Sequence, residues 1–252
     1  MAQIAGQFQM VSKVKYVHKK DDFVKKESAY LTARDHEGRL LDDELVLSLP
    51  NPPSHLANYN EWVLRKKSTS ILLRQLRKHA VPNQILDIGC GNGWFIGGLK
   101  KTFPQSKLCG VDLNALELEQ ANRLFGNEQV KFFYLDILKK QYFKNESMDI
   151  VIFNASIQYF QDLHEIIQTA SQLLKPKGSI WVNDSPFYRS KSDQLLAVQR
   201  SQMYYNDLGT PEMATYYHHH LESDLLQLGF RKIKNLNPFL KLPFSLYQFK
   251  KS

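Results

Sequence analysis

Residues 84–95 read QILDIGCGNGWF, and this stretch decides the fold. Residues 85–88 are a short apolar run typical of a buried parallel strand. The run ends in a turn with alternate glycines, Gly89, Gly91 and Gly93, and Trp94 then begins an apolar stretch that predicts a helix. Glycines allow positive φ and let a ligand approach the backbone, while a helix start offers free N–H groups. The stretch therefore predicts a nucleotide-binding elbow.

Strands and helices alternate on both sides of this elbow. Helices are predicted at residues 60–78, 94–101, 115–125 and 163–174, and strands at 85–88, 108–111, 130–135, 149–153 and 178–182. Such alternation is the signature of an α/β fold with a doubly wound parallel sheet and right-handed crossovers. After residue 184 the rhythm changes: helices are predicted at 192–205 and 212–228, followed by an antiparallel pair of strands at 230–233 and 244–249.

Three regions follow from this pattern. Residues 1–54 lack a nucleotide-site motif and are expected to be an N-terminal extension that packs on the core, with a short strand at residues 45–47. Residues 55–252 form the ligand-binding domain. Within it, residues 184–228 are expected to be a helical insertion that acts as a lid over the acceptor site.

Composition narrows the class of protein. The 252 residues carry a formal net charge of +8, but the basic residues are scattered along the chain, so nucleic-acid binding is an alternative rather than the first hypothesis. The two cysteines, Cys90 and Cys109, lack CxxC partners, which favours a reduced, cytoplasmic protein. We expect neither a signal peptide nor a membrane span.

Polar side chains stand at the carboxyl ends of the predicted strands, where ligands bind in open α/β sheets. They are Asp87, Asp112, Asp136 and Asn154. A carboxylate that ends the second strand can accept both hydroxyls of a ribose. Asp136 is placed to accept from an exocyclic amine, between Leu113 and Ile137 as apolar plates around a purine. The alternative for both acids is that each caps the following helix.

The spacing of the glycines in the turn indicates which class of nucleotide-binding site it can form. A dinucleotide site of the form GxGxxG needs glycine at position 94, where this chain has Trp94. A P-loop needs a Gly-Lys-Ser/Thr ending, which the turn lacks. The turn therefore suits a ligand without a pyrophosphate and with a cationic amino-acid end.

The residues ILDIGCGNG at 85–93 resemble the first motif of class I S-adenosylmethionine-dependent methyltransferases. The segments GVDLN at 110–114, LDI at 135–137, FNAS at 153–156 and LKPKG at 174–178 are similar to the later motifs of that family. The likeness covers residues 60–184 and is greatest to the small-molecule group that includes enzymes of the ubiquinone/menaquinone-biosynthesis type. It implies a Rossmann-like, seven-stranded sheet of six parallel strands and one antiparallel strand, with helices on both faces.

The resemblance also implies S-adenosyl-L-methionine as cofactor and S-adenosyl-L-homocysteine as product. In this family the glycine turn lines the methionine part, the acid after the second strand takes the ribose, and the segment after the third takes adenine. The residues expected to bind the cofactor are Asp87, Gly89, Cys90, Gly91, Gly93, Asp112, Leu113, Asp136, Ile137, Asn154, Ala155 and Tyr159.

The acceptor site is expected in the segments outside the common core. In the lid, a general base is expected among His218, His219, His220 and Tyr188, with Tyr188 and His220 as the favoured catalytic residues, because aromatic faces attract a sulfonium and histidine can act as a base. On a continuous helix Tyr216 and His220 share one face. No metal site is expected.

The leading hypothesis is a methyltransferase that moves a methyl group by in-line displacement to a small organic acceptor. The alternatives are a nucleic-acid or protein acceptor, a non-catalytic S-adenosylmethionine-binding protein, and an enzyme that uses another sulfonium, such as an aminopropyl transferase. The residues do not specify the accepting atom or the oligomeric state, because fold-level likeness does not fix a substrate.

Overall fold

A computed structural model describes residues 13–78, 81–139, 141–233 and 242–252. Within these ranges, the strands are β1 (Lys15–Tyr16), β2 (Gln84–Ile88), β3 (Lys107–Asp112), β4 (Val130–Tyr134), β5 (Met148–Asn154), β6 (Leu174–Asn183), β7 (Phe187–Tyr188), β8 (His220–Leu221), β9 (Arg231–Ile233) and β10 (Leu246–Lys250). The α-helices are α1 (Val24–His36), α2 (Asp43–Ser48), α3 (Tyr59–Leu76), α4 (Trp94–Thr102), α5 (Ala115–Phe125), α6 (Leu163–Leu173), α7 (Lys191–Asp207) and α8 (Glu222–Gln227).

Eight of the strands form one sheet in the order β1-β4-β3-β2-β5-β6-β10-β9. The first six lie parallel to their neighbours, whereas β10 is antiparallel to both β6 and β9. The strand order reverses between β2 and β5, and ligands bind at such a switch point. The α/β class and the doubly wound topology predicted from the sequence are confirmed.

The predicted count of seven strands is short by one. The additional strand is β1 of the N-terminal extension, which pairs Lys15 with Phe133 and Tyr16 with Tyr134 at the edge of the sheet. Both residues of β1 are exposed, so this strand has no apolar alternation that a sequence pattern could reveal.

Helices cover both faces of the sheet because alternate side chains of each strand point in opposite directions. In β2, Ile85 enters the core on one face, together with Leu72, whereas Leu86 enters the core on the other face, together with Ile167. The central strands are thus buried on both sides, which explains why they read as continuous apolar runs.

The N-terminal extension contacts both the core and the lid. Phe23 is buried against the sheet at Tyr134, with ring centroids 6.1 Å apart. Ala33 of α1 is buried with Tyr205 and Met213 of the lid. The described part of the extension therefore packs along the carboxyl edge of the sheet.

Two local predictions are wrong. Residues 45–47 lie in helix α2, not in a strand, because Asp42 caps the helix by accepting from Leu45 N at 2.8 Å. Residues 212–228 are not one helix: they form a 3₁₀ turn, Pro211–Tyr216, then β8, then the short α8. Leu221 is extended at φ −78° and ψ 144°, which separates the two helical pieces.

Candidate active site

The turn after β2 has glycine where geometry requires it. Gly89 has φ 76°, and a Cβ there would overlap Ser156 Cβ. Gly93 has φ 75°, and its Cβ would lie 2.8 Å from Ala121 Cβ on α5. The left-handed backbone and the close neighbours together exclude larger residues at both positions.

Asp112, the last residue of β3, forms a hydrogen bond with this turn. Its Oδ2 accepts from Gly91 N at 2.8 Å, and its Oδ1 accepts from Leu113 N at 2.7 Å and Asn114 N at 3.0 Å. Burial raises the pKa of Asp112 above its usual range, and hydrogen bonds from these three N–H groups offset part of the rise. The helix-cap alternative is wrong for Asp112, because Asn114 caps α5 by accepting from Glu117 N at 3.2 Å.

Asp87 and Asp136 also lie at strand ends. Asp87 is 2% exposed, and its Oδ1 is buried without a hydrogen-bond partner in the described part of the chain. Burial and the neighbouring Asp112 raise its pKa well above the usual range. Asp136 accepts from Leu138 N at 3.0 Å and lies 4.0 Å from Lys139 Nζ.

These groups border a cavity of about 900 Å³. Of the residues expected to bind the cofactor, all but one line it: Asp87, Gly89, Cys90, Gly91, Asp112, Leu113, Asp136, Ile137, Asn154, Ala155 and Tyr159. Gly93 is absent from this lining and lies against Ala121 and Phe125 of α5. Its glycine is explained by packing between the turn and α5.

Helix α1 supplies the wall that faces the glycine turn. Lys26, Tyr30 and Arg34 line the cavity, and their spacing of i, i+4 and i+8 puts them on one face of the helix. The sequence reasoning missed these residues because the extension carries no family motif. The helical spacing of two cations around a tyrosine was the available signal.

Arg34 links α1 to the turn after β5. Its Nη2 donates to Tyr159 Oη at 2.8 Å, and its Nη1 pairs with Glu37 Oε2 at 2.8 Å. The guanidinium also lies over the Tyr30 ring, 4.9 Å from the centroid. Burial lowers the pKa of Arg34, but its partners raise it well above the usual range, so the residue stays charged.

A second group of ion pairs lines the cavity beside α3. Glu61 pairs with Arg39 Nη2 at 2.6 Å and with Arg65 Nη2 at 2.8 Å. All three residues line the cavity. They tie the segment after α1 to α3.

Glu117 is a further, partly buried acid that the sequence reasoning missed. Its carboxyl accepts from Asn114 Nδ2 at 3.1 Å, and a Cβ on Gly91 would lie 3.3 Å from its Oε2. Burial, reinforced by Asp112, raises the pKa of Glu117 to about 7. It lies on the first turn of α5, two residues after the helix begins. An acid at this position normally stabilises the helix through the helix dipole, so its sequence position suggests no further role.

Of the lid histidines, His218 lines the cavity, whereas the favoured candidate His220 does not. His218 lines the cavity and donates its backbone N–H to Gln158 O at 2.7 Å. His220, in β8, is 8% exposed, and its Nε2 lies 3.0 Å from Phe160 O. Tyr188 Oη lies 2.9 Å from His219 Nδ1. Tyr188 and His220 are both outside the cavity lining, because β7 and β8 pair with each other behind it.

Burial, then the neighbouring His220 and Lys26, lower the pKa of His218 to about 4. Its imidazole is therefore neutral at physiological pH. Among the residues that the structure describes, no cluster of three or more His, Cys, Asp or Glu side chains could hold a metal ion. Within the same ranges, no helix has the length and apolar character of a membrane span.

The chain matches a protein family described as "Methyltransferase domain" over residues 82–241. That match covers more than half of the chain, which therefore belongs to this family. Its class is the class I S-adenosylmethionine-dependent methyltransferases, as the motifs predicted. The narrower likeness to the ubiquinone/menaquinone group stays a prediction.

Two relatives are malonyl-[acyl-carrier protein] O-methyltransferases. The one from Hahella chejuensis is 30% identical over 124 residues, which is 49% of this chain and 44% of that protein. The one from Halalkalibacterium halodurans is 33% identical over 170 residues, 63% of each chain. The chain thus spans less than two thirds of the length of these relatives.

Among solved structures, the chain is similar to geranyl diphosphate C-methyltransferase from Streptomyces coelicolor A3(2), in complex with Mg²⁺, geranyl-S-thiolodiphosphate and S-adenosyl-L-homocysteine. The TM-score is 0.56 at 18% identity, over 82% of this chain and 77% of that one. At this identity the likeness shows the shared fold.

Proposed function

We propose that the protein transfers the methyl group of S-adenosyl-L-methionine to a small organic acceptor. The observation that carries the proposal is the continuous cavity. On one side it is lined by every residue expected to bind the cofactor except Gly93, and on the other by α1, α3 and the lid. The cofactor and the acceptor would share this one enclosed space.

The residues present fit the cofactor. Asp112 Oδ2 carries one N–H bond, from Gly91, so it keeps a free acceptor position for a ribose hydroxyl. Asp136 would accept from the adenine amine between Leu113 and Ile137. The unpartnered Asp87 Oδ1 favours a cationic ligand near the turn, because a positive charge would offset the burial of that acid.

The bound cofactor supplies an electrophilic methyl group attached to a sulfonium. Transfer of that methyl group leaves a neutral thioether. The protein has to hold the accepting atom in line and exclude water, and such positioning is worth about 7–11 kcal/mol. The cavity walls perform both tasks. Tyr159 presents its ring to the same space, where an aromatic face would favour the sulfonium.

We propose His218, rather than Tyr188 or His220, as the lid residue that contacts the acceptor. It is the member of the histidine run that lines the cavity. With a pKa of about 4 its neutral imidazole is a weak base, suited to hydrogen bonding an acceptor that is already ionised. Tyr188 and His220 would then support the lid from behind.

Several observations favour a small acceptor over the alternatives. A non-catalytic binding protein would be favoured by an extension that fills the acceptor space, but here Tyr30 and Arg34 border an open cavity of about 900 Å³. The name of the solved relative describes geranyl diphosphate, a small organic acceptor, and the names of the curated relatives describe a small malonyl group that is carried on acyl-carrier protein. The free thiols of Cys90 and Cys109 agree with the predicted cytoplasmic location, which we retain as part of the proposal.

The test is a methyl-label transfer assay. The protein and methyl-labelled S-adenosylmethionine are incubated separately with a small-molecule extract, total RNA and total protein from the source organism. We expect label in the small-molecule fraction, lost in Asp136→Ala and retained in the exposed control Asp35→Ala. Label confined to RNA, or to protein in a form that thioester cleavage by hydroxylamine does not release, would overturn the small-acceptor proposal in favour of the corresponding alternative.

A further inference from the structure

Lys26 is a cation inside the cavity that lacks an acidic partner. It lies on the inner face of α1, partly buried, and its Nζ is 3.4 Å from Tyr159 O. In the described ranges, no carboxylate oxygen forms an ion pair with it within 4.0 Å. A partly buried ammonium without a counter-ion has lost part of its hydration, so an anionic group of a ligand would be favourable at this position.

The other partly buried cations of the cavity differ in this respect. Arg34 pairs with Glu37, and Arg39 and Arg65 share Glu61. Their charges are already neutralised by acids that belong to the fold.

Lys26 shares the cavity with Asp112 and Asp136 at the strand ends and with His218 of the lid. Burial lowers the pKa of Lys26 below its usual range, although the charges of Asp136 and Asp112 partly offset this. The charge of Lys26 in turn contributes to the lowered pKa of His218.

We infer that Lys26 is the anion-binding residue of the acceptor site, and that the acceptor is a small organic anion whose charged oxygens contact this ammonium. This inference rests on the proposed function and narrows its substrate class. Of the acids at the strand ends, Asp112 and Asp136 accept from backbone N–H groups, and in the proposal both, together with Asp87, serve the cofactor. An incoming carboxylate or other oxyanion would provide the missing counter-ion.

The arrangement has a thermodynamic consequence for cofactor binding. S-adenosylmethionine carries a positive sulfonium, whereas the sulfur of S-adenosylhomocysteine is neutral. An unpaired ammonium in the same cavity repels the first ligand more than the second, and a bound anion relieves that repulsion. Anion and S-adenosylmethionine should then bind cooperatively through Lys26, and each must strengthen the other by the same factor.

The experiment measures dissociation constants of both sulfur ligands by calorimetry, with and without sodium formate as the anionic probe and formamide as its neutral isostere. Ionic strength is held constant with sodium HEPES. Wild type, Lys26→Gln and the exposed control Lys67→Gln are compared after circular dichroism has shown that each is folded. All constants are measured on the full chain.

In wild type and Lys67→Gln, formate should tighten S-adenosylmethionine binding about 5-fold or more and leave S-adenosylhomocysteine nearly unchanged. Formamide should have no effect. In Lys26→Gln, S-adenosylmethionine should bind tighter relative to S-adenosylhomocysteine, and the effect of formate should disappear.

Two results would overturn the inference while leaving the proposed function intact. One is an equal effect of formate in Lys26→Gln and wild type. The other is an equal gain for both sulfur ligands in Lys26→Gln, which would mean that Lys26 only competes for Asp112 and Asp136. If neither ligand binds the folded wild type, the proposed function fails together with the inference.

Discussion

The backbone N–H of Gly91 donates to Asp112 Oδ2 at 2.8 Å, which joins the glycine turn after β2 to the carboxyl end of β3. The other oxygen of Asp112 accepts from Leu113 N and Asn114 N, at the entrance to α5. One carboxylate thus fixes two neighbouring loops of the site. The acid that the family motif assigns to the ribose also shapes the turn that the same motif assigns to the methionine part.

Asp112→Asn should therefore weaken the fold as well as ligand binding. The new amide NH₂ cannot accept from Gly91 N, so one buried N–H loses its partner, and we expect the free energy of unfolding to fall by about 1–3 kcal/mol. Urea denaturation followed by circular dichroism measures the change. Asp162→Asn is the matched control, because Asp162 caps α6 through Glu165 N and asparagine caps equally well. Equal losses in both variants would contradict the assigned role.

Two adjacent glycines of α4 should respond to alanine in opposite directions. A Cβ on Gly98 meets no atom within 4 Å, so Gly98→Ala should raise the free energy of unfolding by about 0.5–1 kcal/mol through helix propensity. A Cβ on Gly97 would lie 2.7 Å from Phe125 Cε1, and Gly97→Ala should lower stability by about 1–3 kcal/mol. Thermal melts of both variants test the packing of α4 against α5. A stabilised Gly97→Ala would show that this contact is looser than described.

Glu117 should make stability depend on pH between about 4.5 and 7. A carboxyl with a raised pKa in the folded state binds its proton more tightly there than in the unfolded chain. Its contribution is therefore fully present below about pH 4.5 and is lost as the pH rises through about 7, with a magnitude of about 1–3 kcal/mol. Glu117→Gln should show a smaller loss of stability over this window in urea titrations at pH 5 and pH 8. Parallel curves for variant and wild type would refute the assignment.

The docking of the N-terminal extension depends on Glu27. Its Oε1 accepts from Ala115 N, the first residue of α5, at 2.6 Å, and Tyr134 Oη lies 3.3 Å from its Oε2. Glu27→Ala should speed hydrogen exchange at Ala115 and across α1, and lower stability by about 1–2 kcal/mol. Glu44→Ala, on the exposed side of α2, serves as the control. Unchanged exchange in α1 would mean that Glu27 does not hold the extension in place.

The core strands could be predicted because a strand that is buried on both faces has a continuous apolar sequence. The predicted bounds of β2 to β5 differ from the observed ones by at most one residue at either end. For β6 the prediction began at residue 178, but the strand begins at Leu174. Lys177 has φ 66°, and the segment around Pro176 and Gly178 reads as a turn, although backbone pairing with β5 resumes across it after a register shift between Met148 and Ile150.

The position of the expected cofactor residues along one cavity could be predicted for a related reason. Its residues follow directly after strands, so the sheet brings Asp112 and Asp136 together once the strand order is known. The same logic failed for Gly93, since a glycine motif does not distinguish ligand contact from close packing against α5.

The acceptor half could not be predicted because tertiary contacts decide it. Lys26 and Arg34 face the cavity only because α1 docks on the first turn of α5 through Glu27. The prediction that Tyr216 and His220 share one helix face is wrong, because β8 pairs with β7 and interrupts the helix. Local spacing put Lys26 and Arg34 on one face of α1 but did not show that this face meets the cavity, and it gave no sign of the break at β8.

The most direct test of the account is a calorimetric titration of the wild-type protein with S-adenosylmethionine, S-adenosylhomocysteine and, as control, NADH, repeated on Asp112→Ala. We expect micromolar binding of both sulfur ligands, none of NADH, and loss of binding in the variant, which removes the carboxylate from the ribose position. Absence of binding by either sulfur ligand to the folded wild-type protein would contradict the central claim that this cavity is a methyl-donor site.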